Sequence, residues 1–394
     1  MITVIGLDGS ALSAAVTDAL ATATLVVGGR RHLDAVDVPS AARTVVLGNV
    51  GDALDELGKH DGDAVVLASG DPGFFGIVRA MHERGLTYVV HPAVSSVAQA
   101  FARAGVSWDD AVVVSAHGRD LRPAVNTCRA HHKVAVLTTP GAGPAELAAA
   151  LDDRPRQLVV AELLGTAGET VTPCTRAEAA ARGWRDPNVV LVLDPALDAT
   201  SAGWSWPRVA VPDGWALPED DFEHRDAMVT KAEVRALALA KLAPRPGTLV
   251  WDVGAGSGSV AVECARFGAA VVALERDAEQ CARIEANAAA HGVRVDVVRA
   301  EAPAALDALP EPDAVFVGGG GTAVVAAVAA RRPTTVVVAL AALERVGPAA
   351  DALTTAGYRV AATQLQASRL AALPDGAHRL AATNPVVVVW GERR

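Results

Sequence analysis

Short apolar runs rich in Val, Ile and Leu, each bounded by Gly, Pro or Asp, recur along the whole chain. Their length and β-branched content predict strands buried on both faces. In the first half they fall at 2–5, 24–27, 44–47, 64–68, 87–90, 111–114, 133–137, 157–161 and 189–193. Ala-rich helical stretches separate them, so the pattern is α/β. The second half repeats it at 247–252, 270–274, 293–298, 313–317, 334–340, 357–363 and 385–390. The first five of these suit a parallel sheet; the last two lie close together and predict an antiparallel edge. Between the halves, 195–222 has no period and is dense in Pro and Trp. It reads as an inter-domain linker with a boundary near 205, which gives domains of 1–200 and 206–394.

Composition narrows the classes. At 394 residues, 51% of them hydrophobic, the chain has room for more than one core. Runs such as 385–390 are strand-sized, far short of the roughly 20 residues of a membrane span. The opening MITVIGLDGS has no basic stretch before its apolar run, against a signal peptide. Cys128, Cys174, Cys264 and Cys281 form no CxxC pair, which fits a reducing cytoplasm and offers no metal signature. A net charge of −10 works against a nucleic-acid partner. The expectation is a cytoplasmic homo-oligomer with no metal, membrane or nucleic acid.

The stretch WDVGAGSGSV (251–260) carries the chemistry of the second half. A P-loop needs a Lys that is absent here, and a dinucleotide fingerprint needs Gly where Ser259 stands. The spacing Asp252-x-Gly254-x-Gly256-x-Gly258 instead resembles the first motif of Rossmann-like S-adenosylmethionine-dependent methyltransferases. That resemblance implies cofactor contacts from Thr230, Asp252, Gly254, Ala255, Gly256, Ser257 and Gly258. It also places Glu275, ending the next strand, on the ribose, and Glu301 and Ala302 beside the adenine. After the fourth strand comes Gly318-Gly319-Gly320-Gly321 in place of the Asn/Asp-Pro-Pro-aromatic motif of base methylators. Four glycines offer backbone N–H groups and open space to a large, flat, anionic ligand.

The first half holds VIGLDGS (4–10), VVGGRRHLD (26–34), ASGDPGFFG (68–76), HPAVSSVAQAFARAG (91–105), SAHGR (115–119) and LTTPGAGP (137–144). In this order they resemble the tetrapyrrole (precorrin) methyltransferase family, which implies a two-lobed α/β fold with the cofactor between the lobes. Gly6, Gly70, Asp71, Pro72, Gly73, Ser95 and Ser96 would then line the cofactor trough. One departure is plain: the family's Gly-x-Gly-Pro-Gly is Gly6-Leu7-Asp8-Gly9-Ser10 here. The segment 218–263, with its VTKAEVRA, and 364–391 resemble the decarboxylating corrin-ring methyltransferases of the cobalamin pathway. The fold expected is therefore an N-terminal two-lobed tetrapyrrole methylase fold joined to a C-terminal Rossmann-like S-adenosylmethionine-dependent methyltransferase fold.

This pairing implies one S-adenosylmethionine per domain and an anionic tetrapyrrole substrate, methylated at carbon 5 by the first domain. The second domain would then methylate carbon 15 and decarboxylate the ring-C acetate. Arginine is the natural carboxylate clamp, and the candidates are Arg225, Lys231, Arg345 and Arg369, with Arg30, Arg31 and Arg119 in the first domain. His117 and His224 are candidates for proton transfer. A nucleic-acid or other small-molecule methyltransferase with a non-catalytic N-terminal scaffold stays open as the rival.

Overall fold

The computed structural model describes residues 1–194, 214–225 and 229–393, so most of the expected linker and the boundary near 205 lie outside the described residues. Two compact units result. One comprises 1–121 with 132–194, and the other 122–131 with the described residues from 214 onward. The division is thus not a single cut in the sequence. The helix Arg122–Ala130 packs within the second unit, where Arg122 bonds the Asp313 carboxylate at 2.8 Å and Asn126 donates to the Gly247 carbonyl.

The first unit contains two sheets. Strands β1 (Ile2–Leu7), β2 (Leu25–Gly28), β3 (Arg43–Val46), β4 (Ala64–Ser69) and β5 (Tyr88–His91) run parallel in the order β3-β2-β4-β1-β5. Alternate side chains serve opposite faces: Val4, Leu25, Val27 and Val66 pack under one helical layer, and Ile5, Val26, Val65 and Leu67 under the other. The second sheet joins β6 (Val112–Ser115), β7 (Lys133–Leu137), β8 (Gln157–Glu162), β9 (Thr170–Cys174) and β10 (Asn188–Leu193) in the order β6-β7-β10-β8-β9. Only its β6–β7 pair is parallel. Strand β9 is absent from the sequence reading. Its TVTPC is half polar and contains Pro173, which a sheet accepts at an edge.

The second unit has one seven-stranded sheet. Its strands are β11 (Leu249–Val253), β12 (Ala270–Glu275), β13 (Asp296–Arg299), β14 (Ala314–Val317), β15 (Thr335–Leu340), β16 (Arg359–Leu365) and, after a hairpin, β19 (Val386–Glu392). The order is β13-β12-β11-β14-β15-β19-β16, with the first five parallel and β19 antiparallel to both neighbours. The chain therefore reverses direction across β11 and β14, and loops at the carboxyl ends of these strands face one crevice. Leu249, Trp251 and Val253 serve one core and Val250 the other, so Asp252 points with Val250 toward the helix Ser259–Arg266.

The hairpin β17 (Ser368–Ala372) and β18 (His378–Ala382) is a second departure from expectation. Its Ala- and Arg-rich strands carry no strand pattern. The turn Leu373-Pro374-Asp375-Gly376 between them is a hairpin signal that the sequence does offer.

Candidate functional site

In the second unit the site begins at Asp252. The strand period buries its side chain to 1% exposure, where Oδ2 accepts the Ala261 N–H at 3.0 Å and Oδ1 has no partner. Burial pushes its carboxyl up to about 7, against the pull of the Ala261 hydrogen bond and with a further push from Glu275. Asp252 thus ties the start of the helix Ser259–Arg266 to β11 and keeps one oxygen for a donor.

The glycine loop follows. Gly254 has φ of +71°, and a Cβ there would lie 3.0 Å from the Gly319 nitrogen, so this position admits only glycine. The loop after β11 and the loop after β14 therefore touch backbone to backbone, with Gly318 N donating to the Val253 carbonyl at 2.9 Å. On the other flank, Glu275 at the end of β12 accepts Gly256 N at 2.9 Å through Oε2. Its Oε1 accepts the Arg276 and Asp277 N–H groups. Glu275 is half-buried and holds the loop as well as facing the crevice. Glu301 is exposed and paired with Arg276 at 3.1 Å, and Ala302 packs against the sheet core.

Sequence reasoning missed the frame that fixes this loop. Arg235 and Glu263 are both 0% exposed and joined at 2.5 Å. The Arg235 guanidinium also donates to the carbonyls of Thr230 and Leu217, and Glu263 accepts the N–H groups of Ala216 and Leu217. Buried Asn287 donates to the carbonyls of Ser257 and Glu223 and accepts the Glu223 N–H. A signal existed: Arg235 shares a helix face with Val234, Ala238, Leu239 and Leu242, where a cation needs a buried partner.

The clamp candidates separate. Arg369 is bound by Glu219, at 2.5 and 2.9 Å, and by Glu233, at 2.7 and 3.1 Å, which raises its pKa and holds the Glu219 carboxyl down at about 2. Two carboxylates therefore already engage this clamp candidate. Arg225 is exposed, Lys231 precedes the helix Ala232–Leu242 and Thr230 contributes its carbonyl to Arg235. Arg345 instead lines a cavity of about 270 Å³ together with Gly318, Gly319, Thr322, Val338 and Ala342. A Cβ on Gly319 meets nothing within 4 Å. His224 keeps a buried, unpartnered Nδ1, whereas His117 is exposed.

In the first unit, the loops after β1, β4 and β5 meet. Gly70 N donates to the Leu7 carbonyl at 2.7 Å, and Ala93 N to the Gly70 carbonyl at 3.3 Å. This brings Gly6, Gly70, Asp71, Pro72, Gly73, Ser95 and Ser96 onto three adjacent strand ends. The side chains among them are engaged locally. Asp71 accepts Gly73 N, and Ser95 caps the helix Ser96–Ala104 through Ala98 N. The Asp71 and Ser95 side chains thus hold the turns in which these positions sit. In the altered first loop, Asp8 accepts Ser10 N and Oγ and reaches Val94 N at 3.1 Å. Gly9, with φ of +85°, crosses the backbone of Gly165 from the other lobe so closely that a Cβ on it would sit 1.8 Å from the Gly165 carbonyl oxygen. Arg119 lies exposed after β6.

Two families match the sequence: the tetrapyrrole (corrin/porphyrin) methylases over residues 3–180 and the precorrin methyltransferase domain over residues 220–391. A precorrin-6Y C(5,15)-methyltransferase [decarboxylating] of Sinorhizobium sp is 38% identical over 320 residues, covering 76% of this chain and 73% of that one. The enzyme of the same name from Mycobacterium tuberculosis is 36% identical over 328 residues, covering 80% and 79%. The cobalt-precorrin-7 C(5)-methyltransferase of Salmonella typhimurium is 32% identical over 180 residues, 43% of this chain and 89% of the relative.

Two predictions follow from the frame and the buried acid. Arg235→Met leaves Glu263 buried without its cation and costs about 3–5 kcal/mol, read as a lower denaturant midpoint of the second unit's transition. Asp252 is protonated more readily folded than unfolded, so its contribution is full below about pH 4 and is lost as pH rises through about 7. Asp252→Asn flattens that slope, which is at most about 1.4 kcal/mol per pH unit. Melting profiles with the same pH dependence in both proteins would contradict the assignment.

Proposed function

We infer the function of this chain from the family to which it belongs, the decarboxylating precorrin-6Y C5,15-methyltransferases. It is an S-adenosylmethionine-dependent C-methyltransferase of cobalamin biosynthesis that methylates its precorrin at carbons 5 and 15. It also removes the ring-C acetate carboxyl, giving precorrin-8x. The first unit takes carbon 5, and the second takes carbon 15 and the decarboxylation. A relative about the length of the first unit, named for the C5 reaction alone, supports this division. Each unit holds its own S-adenosylmethionine, which supplies an electrophilic methyl group.

The observation that carries the reading is the second unit's crevice: a glycine loop closed backbone to backbone on Gly318–Gly319, with Glu275 on the adjoining strand end. The residues fit the cofactor. Asp252 Oδ1 is an unpartnered buried acceptor, and a Cβ at Gly256 meets nothing within 4 Å, which leaves room along the loop backbone. Glu275 keeps one lone pair, on Oε2, for a ribose hydroxyl, and Glu301 and Ala302 stand beyond it.

The acceptors are electron-rich ring carbons, so the protein's work is alignment and exclusion of water; positioning of this kind is worth roughly 7–11 kcal/mol. Gly318, Gly319 and Gly321 give the flat ring access, Gly320 turns the chain into the helix Gly321–Ala330, and Arg345 holds one of the ring's retained carboxylates. In the decarboxylation, the bond from the acetate methylene to its carboxylate breaks. The electron pair enters the conjugated imines of the macrocycle, and a proton from water completes the methyl. The crevice need only leave that carboxylate poorly solvated.

The test is incubation with the reduced precorrin and labelled cofactor. The product should gain two methyl groups and lose one carbon dioxide, and calorimetry should count two cofactors per chain. A single cofactor would make the first unit a scaffold. Glu275→Gln should weaken cofactor binding at one of the two sites by about tenfold or more, from lost charge-assisted bonds. Gly319→Val fits the fold because its Cβ meets open space. It should abolish carbon-15 methylation and carbon dioxide release together, and leave cofactor affinity and carbon-5 methylation in place. Loss of carbon-5 methylation alone would reverse the assignment of the units.

A further inference from the structure

The short helix Arg30–Leu33 follows β2, and Ser69 ends β4, the strand beside it. Arg31 Nη2 donates to Ser69 Oγ at 2.5 Å and its Nε to His32 Nε2 at 3.2 Å; His32 Nε2 also lies 3.0 Å from Ser69 Oγ. Burial, with the neighbouring Arg31 charge, pushes the His32 imidazole down to about 4, so at neutral pH the ring carries no charge. Because Nε2 accepts from Arg31, the ring proton sits on Nδ1, which is buried and unpartnered. Arg31 is therefore a cation braced by two neutral groups, with no carboxylate partner among the described residues. The other arginines of this unit that side-chain bonds fix, such as Arg43, Arg103, Arg156 and Arg185, are held by Asp or Glu.

We propose that Arg31, braced by His32 and Ser69, is a carboxylate-binding subsite that seats a side-chain carboxylate of the macrocycle for the carbon-5 reaction. The proposal rests on the tetrapyrrole reading of the first unit. A fixed guanidinium fork with no internal counter-ion is the arrangement that takes a carboxylate through paired bonds. Position selects the substrate over the cofactor's own carboxylate. The backbone ring spans β4, β1 and β5, and Arg31 stands after β2, on the outer side of that ring. Ser69 links the two, since the Gly70-Asp71-Pro72 loop starts directly after it.

The test uses the full chain, with the reduced precorrin titrated by its absorbance and the cofactor by calorimetry. Arg31→Gln should raise the KM for carbon-5 methylation about ten- to a hundredfold and lower macrocycle affinity at that site. Cofactor affinity and carbon-15 methylation should stay within about twofold of wild type. Arg31→Lys should recover part of the loss, because it keeps the charge without the fork, and Ser69→Ala should give a smaller rise. Unchanged macrocycle binding in Arg31→Gln would overturn the proposal. So would a loss of cofactor affinity instead, which would give the subsite to the cofactor. A wild-type chain that methylates no tetrapyrrole would overturn the reading beneath it, a failure visible before any variant is made.

Discussion

The buried pair of Arg235 and Glu263 is the constraint on which the second unit's site depends. Two charges out of water are costly unless every remaining donor and acceptor is met. Here they are met by backbone, from Ala216, Leu217 and Thr230. The chain segment that holds Thr230 is thereby locked to the helix that follows the glycine loop. Asn287 extends the same logic, binding Ser257 of that loop to Glu223. The loop's geometry is set from behind by these buried polar groups, as well as by Glu275 at its flank.

The two units solve a similar problem with different sheets. In each, glycines and strand-end turns let backbones approach more closely than side chains permit, and the polar side chains nearby serve mostly to hold the turns. Asp71 and Ser95 do this in the first unit; Asp252 and Glu275 do it in the second while keeping lone pairs to spare.

Much of this was legible in the sequence. The parallel strands announced themselves because β-branched runs buried on both faces have no competing interpretation at that length. The glycine loop and Glu275 were readable because their chemistry is local. Other features were not. Strand β9 and the β17–β18 hairpin lack apolar alternation and are specified by their partners or a turn. The place of Arg122–His131 in the second unit depends on Asp313 and Gly247, more than a hundred residues away. Arg369 read as a free cation because the carboxylates that occupy it, Glu219 and Glu233, are distant in the chain.

The crossing of Gly9 and Gly165 has a consequence for how this chain can drift. Each residue comes from a different lobe, and each excludes even a methyl group from the other. Neither position can be explored alone by mutation, and no compensating change at the other can help, since glycine is already the smallest choice. Sequences descending from this one are therefore free to vary the surrounding loops, as Asp8 and Ser10 illustrate, but they inherit the two glycines as a single unit of heredity.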